Sequence, residues 1–270
     1  MKVVEHKYGK DPYIPTEETM FKKLRESTIG DDWTLHELPL AHMINNIGAP
    51  AAQSVIESLN SEEKKIFVCQ HILVDQLKVD DNSIMCSPHA SDSNNVISIP
   101  HYPVNASEQP CERKKLFGFL GSVTTHPTRK GIVKLFPENC FNSGVHWGLD
   151  LNLGDDFSNS FTDMIADSQF AICPRGTGIS SVRMFEAMAM GTIPVIVADG
   201  YRPPLDAILD WDEIAVRVPE KKIKNIAKIL NEFSSEDINE MRTKMTEAYQ
   251  DYLSPENFHK SIEFTINNLI

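Results

Sequence analysis

The stretch from Phe170 to Val197 constrains this chain more than any other. It opens with a short apolar run, Phe170-Ala171-Ile172-Cys173-Pro174. A turn follows, Arg175-Gly176-Thr177-Gly178, and then a segment with helical spacing from Ser180 to Met190. Gly191 stands at its end, and a second apolar run, Ile193-Pro194-Val195-Ile196-Val197, comes next. Short apolar runs bounded by turn residues read as buried strands. A strand, a helix and another strand in succession form a parallel pair with a helical crossover. The pattern recurs elsewhere. Lys65–His71, Ser83–Cys86, Asn95–Pro100, Leu116–Ser122 and Ile214–Val218 read as strands, and Val3–His6 as a short opening one. Thr16–Leu24, Ala51–Leu59, Thr128–Leu135, Phe161–Ile165 and the short Leu205–Leu209 read as helices. Alternating strands and helices specify an α/β protein with doubly wound parallel sheets.

The chain has 270 residues, which suits about two domains. Residues 101–115 are polar and proline-containing and read as an interdomain linker. The expected organisation is an N-terminal α/β domain over 1–112, a C-terminal one over 113–252, and a last helix over 253–270. That helix carries an apolar stripe, Phe258, Ile262, Phe264 and Ile266, expected to pack back on the N-terminal domain. A formal net charge of -12 argues against an extended phosphate-gripping face, so no nucleic-acid partner is expected. The five cysteines form no CxxC pair, which fits neither a disulfide framework nor a zinc site. The start lacks the apolar core of a signal peptide, and no run reaches membrane-spanning length. A soluble, cytoplasmic chain is the expectation. Asn105-Ala106-Ser107 fits a glycosylation sequon, which carries no weight without a secretory route.

Chemistry concentrates in the turn and helix after Cys173. Ligands of doubly wound sheets bind beyond the carboxyl ends of the strands. Gly176 and Gly178 let the backbone approach a ligand closely. The helix beginning near Ser180-Ser181 offers unpaired N–H groups and partial positive charge, which suit phosphate. Arg175 and Arg183 add guanidinium donors that match phosphate oxygens. Glu186, three residues after Arg183, is suited to accept hydrogen bonds from ribose hydroxyls, as an acid does in dinucleotide folds. Gly191 is a natural helix cap.

The run from Cys173-Pro174-Arg175-Gly176 through Ser180-Ser181-x-Arg183-x-Phe185-Glu186-Ala187 to Asp199-Gly200-Tyr201 resembles the signature of exostosin-like glycosyltransferases. Leu209-Asp210-Trp211, Val216-Arg217-Val218-Pro219-Glu220 and Leu116–Gly121 extend the resemblance, which covers about residues 114–252. It implies the GT-B type: two facing Rossmann-like domains, the donor in the C-terminal one, the active site in the cleft. It also implies sugar transfer from a UDP- or GDP-linked donor to a glycan or polysaccharide acceptor, with inversion and without a metal or other cofactor. Carried over by position, Arg175 and Arg183 contact the diphosphate, Glu186 holds the ribose, and the loop from Gly121 and Ser122 to Arg129 lies near phosphates and sugar. Some members of the family act as pairs, which leaves room for a homo- or hetero-oligomer. The chain departs from animal members in its short length, single catalytic module and lack of a membrane stem.

Inverting transfer needs a base for the acceptor hydroxyl and charge stabilisation for the leaving diphosphate. The base is expected from the N-terminal domain. His71 ranks first, at a strand's carboxyl end, with Asp75 beside it and His36, Glu37, His89 and Asp92 behind. No acidic pair has metal-ligand spacing with histidine, so no metal site is expected. Two other classes compete. A nucleotide-sugar epimerase or dehydrogenase needs a G-x-G-x-x-G after the first strand, which Val3–Tyr8 lacks. An inactive sugar-binding or scaffold protein of this fold would have lost donor residues, yet Arg175, Arg183 and Glu186 are present.

Overall fold

In the computed structural model the described residues are 1–6, 14–59, 62–106, 112–144 and 155–269, with the side chains of 155–160 and 269 left aside. The chain divides into two compact units, and the division is not contiguous in sequence. Met1–Tyr102, Gly200–Ile208 and Tyr252–Ile270 make the first, and Pro103–Asp199 with Leu209–Asp251 the second. Most of the stretch read as a linker therefore belongs to the second unit. Its residues 107–111, Cys111 and the sequon's Ser107 among them, lie outside the described residues.

The first unit runs β1 (Lys2–Glu5), α1 (Pro15–Arg25), β2 (Trp33–Glu37), α2 (Leu40–Ile47), α3 (Ala49–Glu57), β3 (Lys64–Val68), β4 (Ser83–Ser87) and β5 (Ile97–Ser98). These five strands form one sheet in the order β1-β2-β3-β4-β5, every pair parallel. Two strips of core cover its faces. One gathers Phe67, Met85 and Cys69 with residues of α2 and α3. The other gathers Leu35, Ile66 and Val68 with Met20 and Leu24 of α1.

The second unit runs β6 (Lys115–Gly121), α4 (Pro127–Leu135), β7 (Cys140–Asn142), α5 (Asp155–Ala166), β8 (Ser168–Pro174), α6 (Val182–Ala189), β9 (Ile193–Val197), α7 (Trp211–Ile214), β10 (Val216–Arg217), α8 (Ile226–Leu230) and α9 (Ser235–Ala248). Its strands lie in the order β10-β9-β8-β6-β7, again all parallel. β8 and β9 are buried along almost their whole length, as a strand covered on both faces must be. Gly118, inside β6, lets α5 approach: a Cβ there would lie 2.5 Å from the Met164 sulfur. The chain then returns to the first unit through α10 (Lys260–Leu269). Phe258 and Ile262 are fully buried there, in the same core as Met20, Leu24 and Leu35.

Two units, each with a parallel sheet, agree with the α/β architecture expected from the sequence. The differences from the sequence reading are local. Leu205–Leu209, expected as a short helix, is a turn in which Leu205 has φ 56°. β2, α2, β7 and α7 were not foreseen. β2 escapes a hydrophobic-pattern reading because Thr34, His36 and Glu37 are buried within it. Thr34 donates to Glu63 at 2.5 Å, and Arg25 grips Glu37 with two nitrogens at 2.7 and 2.5 Å. Polar side chains so partnered can be buried in a strand that their hydropathy alone would place in solvent.

Candidate functional site

In the second unit the chain lays down β6 first, adds β7 on one side, and then crosses to the other side for β8. The loops leaving the carboxyl ends of β6 and β8 therefore diverge in opposite directions. In an open parallel sheet this switch point is where a ligand crevice forms. The two loops are 122–126 and 175–181, which carry most of the residues expected from sequence to hold a donor.

Arg183, in the first turn of α6, is 6% exposed. Its guanidinium lies over the rings of Phe119 and Phe161, with centroids at 4.6 and 5.0 Å, and donates to the Leu120 carbonyl. Burial pulls its pKa below the ordinary arginine value. Gly121 makes room for it, since a Cβ there would sit 2.6 Å from a guanidinium nitrogen. A bulkier residue at 121 would push the charge out of its aromatic slot.

Arg129 has a different part. Its Nε donates to the Arg175 carbonyl at 2.9 Å, one terminal nitrogen to the Pro174 carbonyl at 3.0 Å, and the other to the Ser122 carbonyl at 3.5 Å. It ties the loop after β6 to the end of β8. Burial, and then the charge of Arg183, bring its pKa down to about 9. Gly176 lies against it, with a Cβ there 3.1 Å from an Arg129 nitrogen. The Ser122 hydroxyl pairs with Thr124 at 2.9 Å.

Arg175 extends the sheet by donating its amide to Val197 at 3.0 Å. Among the described residues, the Nε atoms of Arg175 and Arg183 are buried and meet no hydrogen-bond partner. A buried donor left so costs about 1–3 kcal/mol. Ser180 and Ser181 are both buried. Ser181 is the N-cap of α6 in extended conformation, yet its hydroxyl makes no capping bond. The amides of that first turn thus receive nothing from the side chain that usually caps them.

Glu186 lies one turn further along α6 and is 1% exposed. Its Oε1 accepts from the Asn105 amide at 3.1 Å and from Asn105 Nδ2 at 2.8 Å. Burial raises its pKa, opposed by the Arg183 charge and the two Asn105 donors. Asn105 was invisible as a site residue in the sequence, where it read as linker. Glu220 was also given no role. It accepts from the Thr128 hydroxyl at 2.9 Å and the Asp199 amide at 3.2 Å, binding the start of α4 to the loop after β9.

The expected bases belong to the first unit. His71 follows β3, and its Nδ1 accepts from the Leu73 amide at 3.0 Å while Nε2 meets Asn45 Oδ1 at 3.0 Å. Those partners fix a neutral ring with its proton on Nε2, and burial lowers its pKa accordingly. Asp75 is exposed, in a 3-10 turn at Val74–Gln76, and accepts from Asn94. Glu37 is paired with Arg25, His36 lies against His6 and Phe67, and His89 packs edge-on to His101 at 5.4 Å. Asp92 donates its amide to the Gly200 carbonyl at 3.0 Å. Glu17, in the first turn of α1, is fully buried. Its Oε1 accepts from the amides of Ala41 and Gln70, each at 3.0 Å, and burial raises its pKa to about 8. Cys69, Cys86, Cys140 and Cys173 are buried free thiols. No helix among the described residues is long and apolar enough to cross a membrane.

Residues 42–233 match the model of the exostosin GT47 domain, which reaches into the first unit beyond the stretch carrying the sequence resemblance. Over 75 residues the chain is 39% identical to a probable glycosyltransferase of Arabidopsis thaliana, a match covering 28% of this chain and 14% of that protein. Over 93 residues it is 29% identical to the exostosin-1 homolog of Caenorhabditis elegans, covering 34% and 24%. These matches take in less than a quarter of each relative's own length. Among solved structures, sucrose-phosphate synthase from Thermosynechococcus elongatus aligns with 97% of this chain and 82% of its own, at 12% identity and a TM-score of 0.48. With the family model spanning well over half of its 270 residues, the chain belongs to the exostosin GT47 family.

Proposed function

We propose that this chain is a glycosyltransferase that moves a sugar from a UDP- or GDP-linked donor to a glycan or polysaccharide acceptor, with inversion and without a metal. Family membership supports the reaction class. The observation that carries the donor site is the switch point itself. There, two arginines whose buried Nε–H groups meet no hydrogen-bond partner among the described residues stand beside a helix start whose N-cap serine makes no capping bond. A diphosphate supplies the acceptors that such an arrangement lacks, and a departing diphosphate develops the negative charge it stabilises. Arg175 and Arg183 take the phosphates, and Glu186 takes the ribose. Arg129 acts one step back, holding the loops that shape the site. Of the two expected bases, Asp75 suits the task better. It is exposed, whereas both ring nitrogens of His71 are occupied.

The test is an assay of UDP and GDP release from a panel of nucleotide-sugars in the presence of oligosaccharide acceptors. The anomeric configuration of the product is read by NMR. Acceptor-dependent release with an inverted product is the expected result. A retained configuration would remove inversion from the account, and no release from any donor would remove the activity.

A further inference from the structure

Glu186 presents a contradiction that points to a further residue. A carboxylate that is to receive a ribose should be reachable, yet Glu186 is 1% exposed. The group bonded to it from outside α6 is Asn105, in the turn at Val104–Asn105, which sends two donors onto one oxygen. An amide N–H at 3.1 Å and a side-chain N–H at 2.8 Å converge on Oε1. A ribose offers the same thing, two neighbouring O–H donors directed at one carboxylate. We propose that Asn105 occupies the place of the donor's ribose hydroxyls, and that nucleotide binding exchanges Asn105 for the ribose on Glu186. This rests on the donor-site reading given above.

The exchange makes physical sense on both sides. A carboxylate buried without donors is expensive, so an empty site needs a group to satisfy Glu186. Burial already raises its pKa against the pull of Arg183 and Asn105. Losing the Asn105 donors with nothing in return would raise it further. Asn105 therefore leaves only as an equivalent pair of donors arrives. Asn105 is half-buried and lies in a turn, outside any helix or strand, so it can move without breaking a ladder of backbone bonds. The consequence is selectivity for a ribose with both hydroxyls. A nucleotide without them gains nothing by displacing Asn105.

The experiment is calorimetric titration of UDP, GDP and their 2′,3′-dideoxy analogues into wild type, Asn105→Ala and Asn105→Ser. For the nucleotide that wild type binds, both variants are expected to bind about 2- to 10-fold tighter, the worth of one net hydrogen bond no longer given up. The dideoxy analogue should bind wild type and variants alike. Equal or weaker binding of the ribonucleotide by folded variants, with wild type still binding, would overturn the exchange and leave the donor site standing. A tightening equal for the dideoxy analogue would also overturn it, since the effect would not run through the hydroxyls. If neither UDP nor GDP binds wild type or variant, the donor-site reading fails and this inference with it.

Discussion

Glu17 shows how much a single residue can contribute that its neighbours in sequence conceal. It sits in the first turn of α1 beside Glu18, yet it is fully buried under the amides of Ala41 and Gln70. Its pKa is raised to about 8 in the folded chain, against an ordinary value near 4.5. The folded state then binds this proton more tightly than the unfolded state. The associated stability is fully present below pH 4.5 and is lost as pH rises through about 8. Glu17→Gln, which keeps the acceptor and removes the charge, should match wild type near pH 5. By pH 8 it should be the more stable by a few kcal/mol, an order-of-magnitude figure. Denaturant unfolding at both pH values checks this, and parallel curves for the two proteins would contradict it. Arg129 is a second case. Its three donors go to carbonyls of two loops, so Arg129→Ala should destabilise the second unit by about 2 kcal/mol or more, measured by thermal unfolding. Arg183 and Glu186 were singled out in the sequence because their types and spacing sit on one strand–turn–helix, and Gly121, at the end of β6, through the family resemblance. The clamp made by Arg129 and the contact made by Asn105 were not, because their partners are brought together only by the topology.

The elements were most legible where backbone chemistry is written into residue type. Gly191 ends α6 with φ 67°, its amide donating to Met188 and that of Thr192 to Ala187 at 2.8 Å, the paired bonds of a Schellman cap. An L side chain is strained in that conformation, so Gly191→Ala should cost about 1–2 kcal/mol in thermal unfolding. A null effect would mean the cap contributes little. Elements were least legible where burial contradicts hydropathy or where strands are very short. β2 buries Thr34, His36 and Glu37, and Glu63 and Arg25 partner the first and last of them. β7 has only three residues, too few for a periodic pattern to register. Leu205 fooled the reading the other way: apolar spacing suggested a helix, but a positive φ makes it a turn.

At the scale of the whole molecule, the chain order does not follow the units. The first unit takes back Gly200–Ile208 and Tyr252–Ile270 after the second has been built. Phe258 and Ile262, from the apolar stripe near the end of the chain, are fully buried in the first unit's core. Sequence could not foresee the return of residues 200–208, a short stretch whose apolar spacing suggested only a local helix. Phe258→Ala should therefore destabilise the first unit by about 3–5 kcal/mol, although the residue lies more than 150 positions after β5, the unit's last strand. Chemical denaturation followed by Trp33, which shares that core, reports it directly. The central claim is the donor site at the switch point of the second unit, and one titration tests it most directly. UDP and GDP are titrated by calorimetry into wild type, Arg175→Ala and Glu186→Ala. The account predicts that wild type binds one of the two nucleotides and that each variant binds it at least tenfold more weakly. Variants that bind as tightly as wild type, or a wild type that binds neither nucleotide, would contradict it.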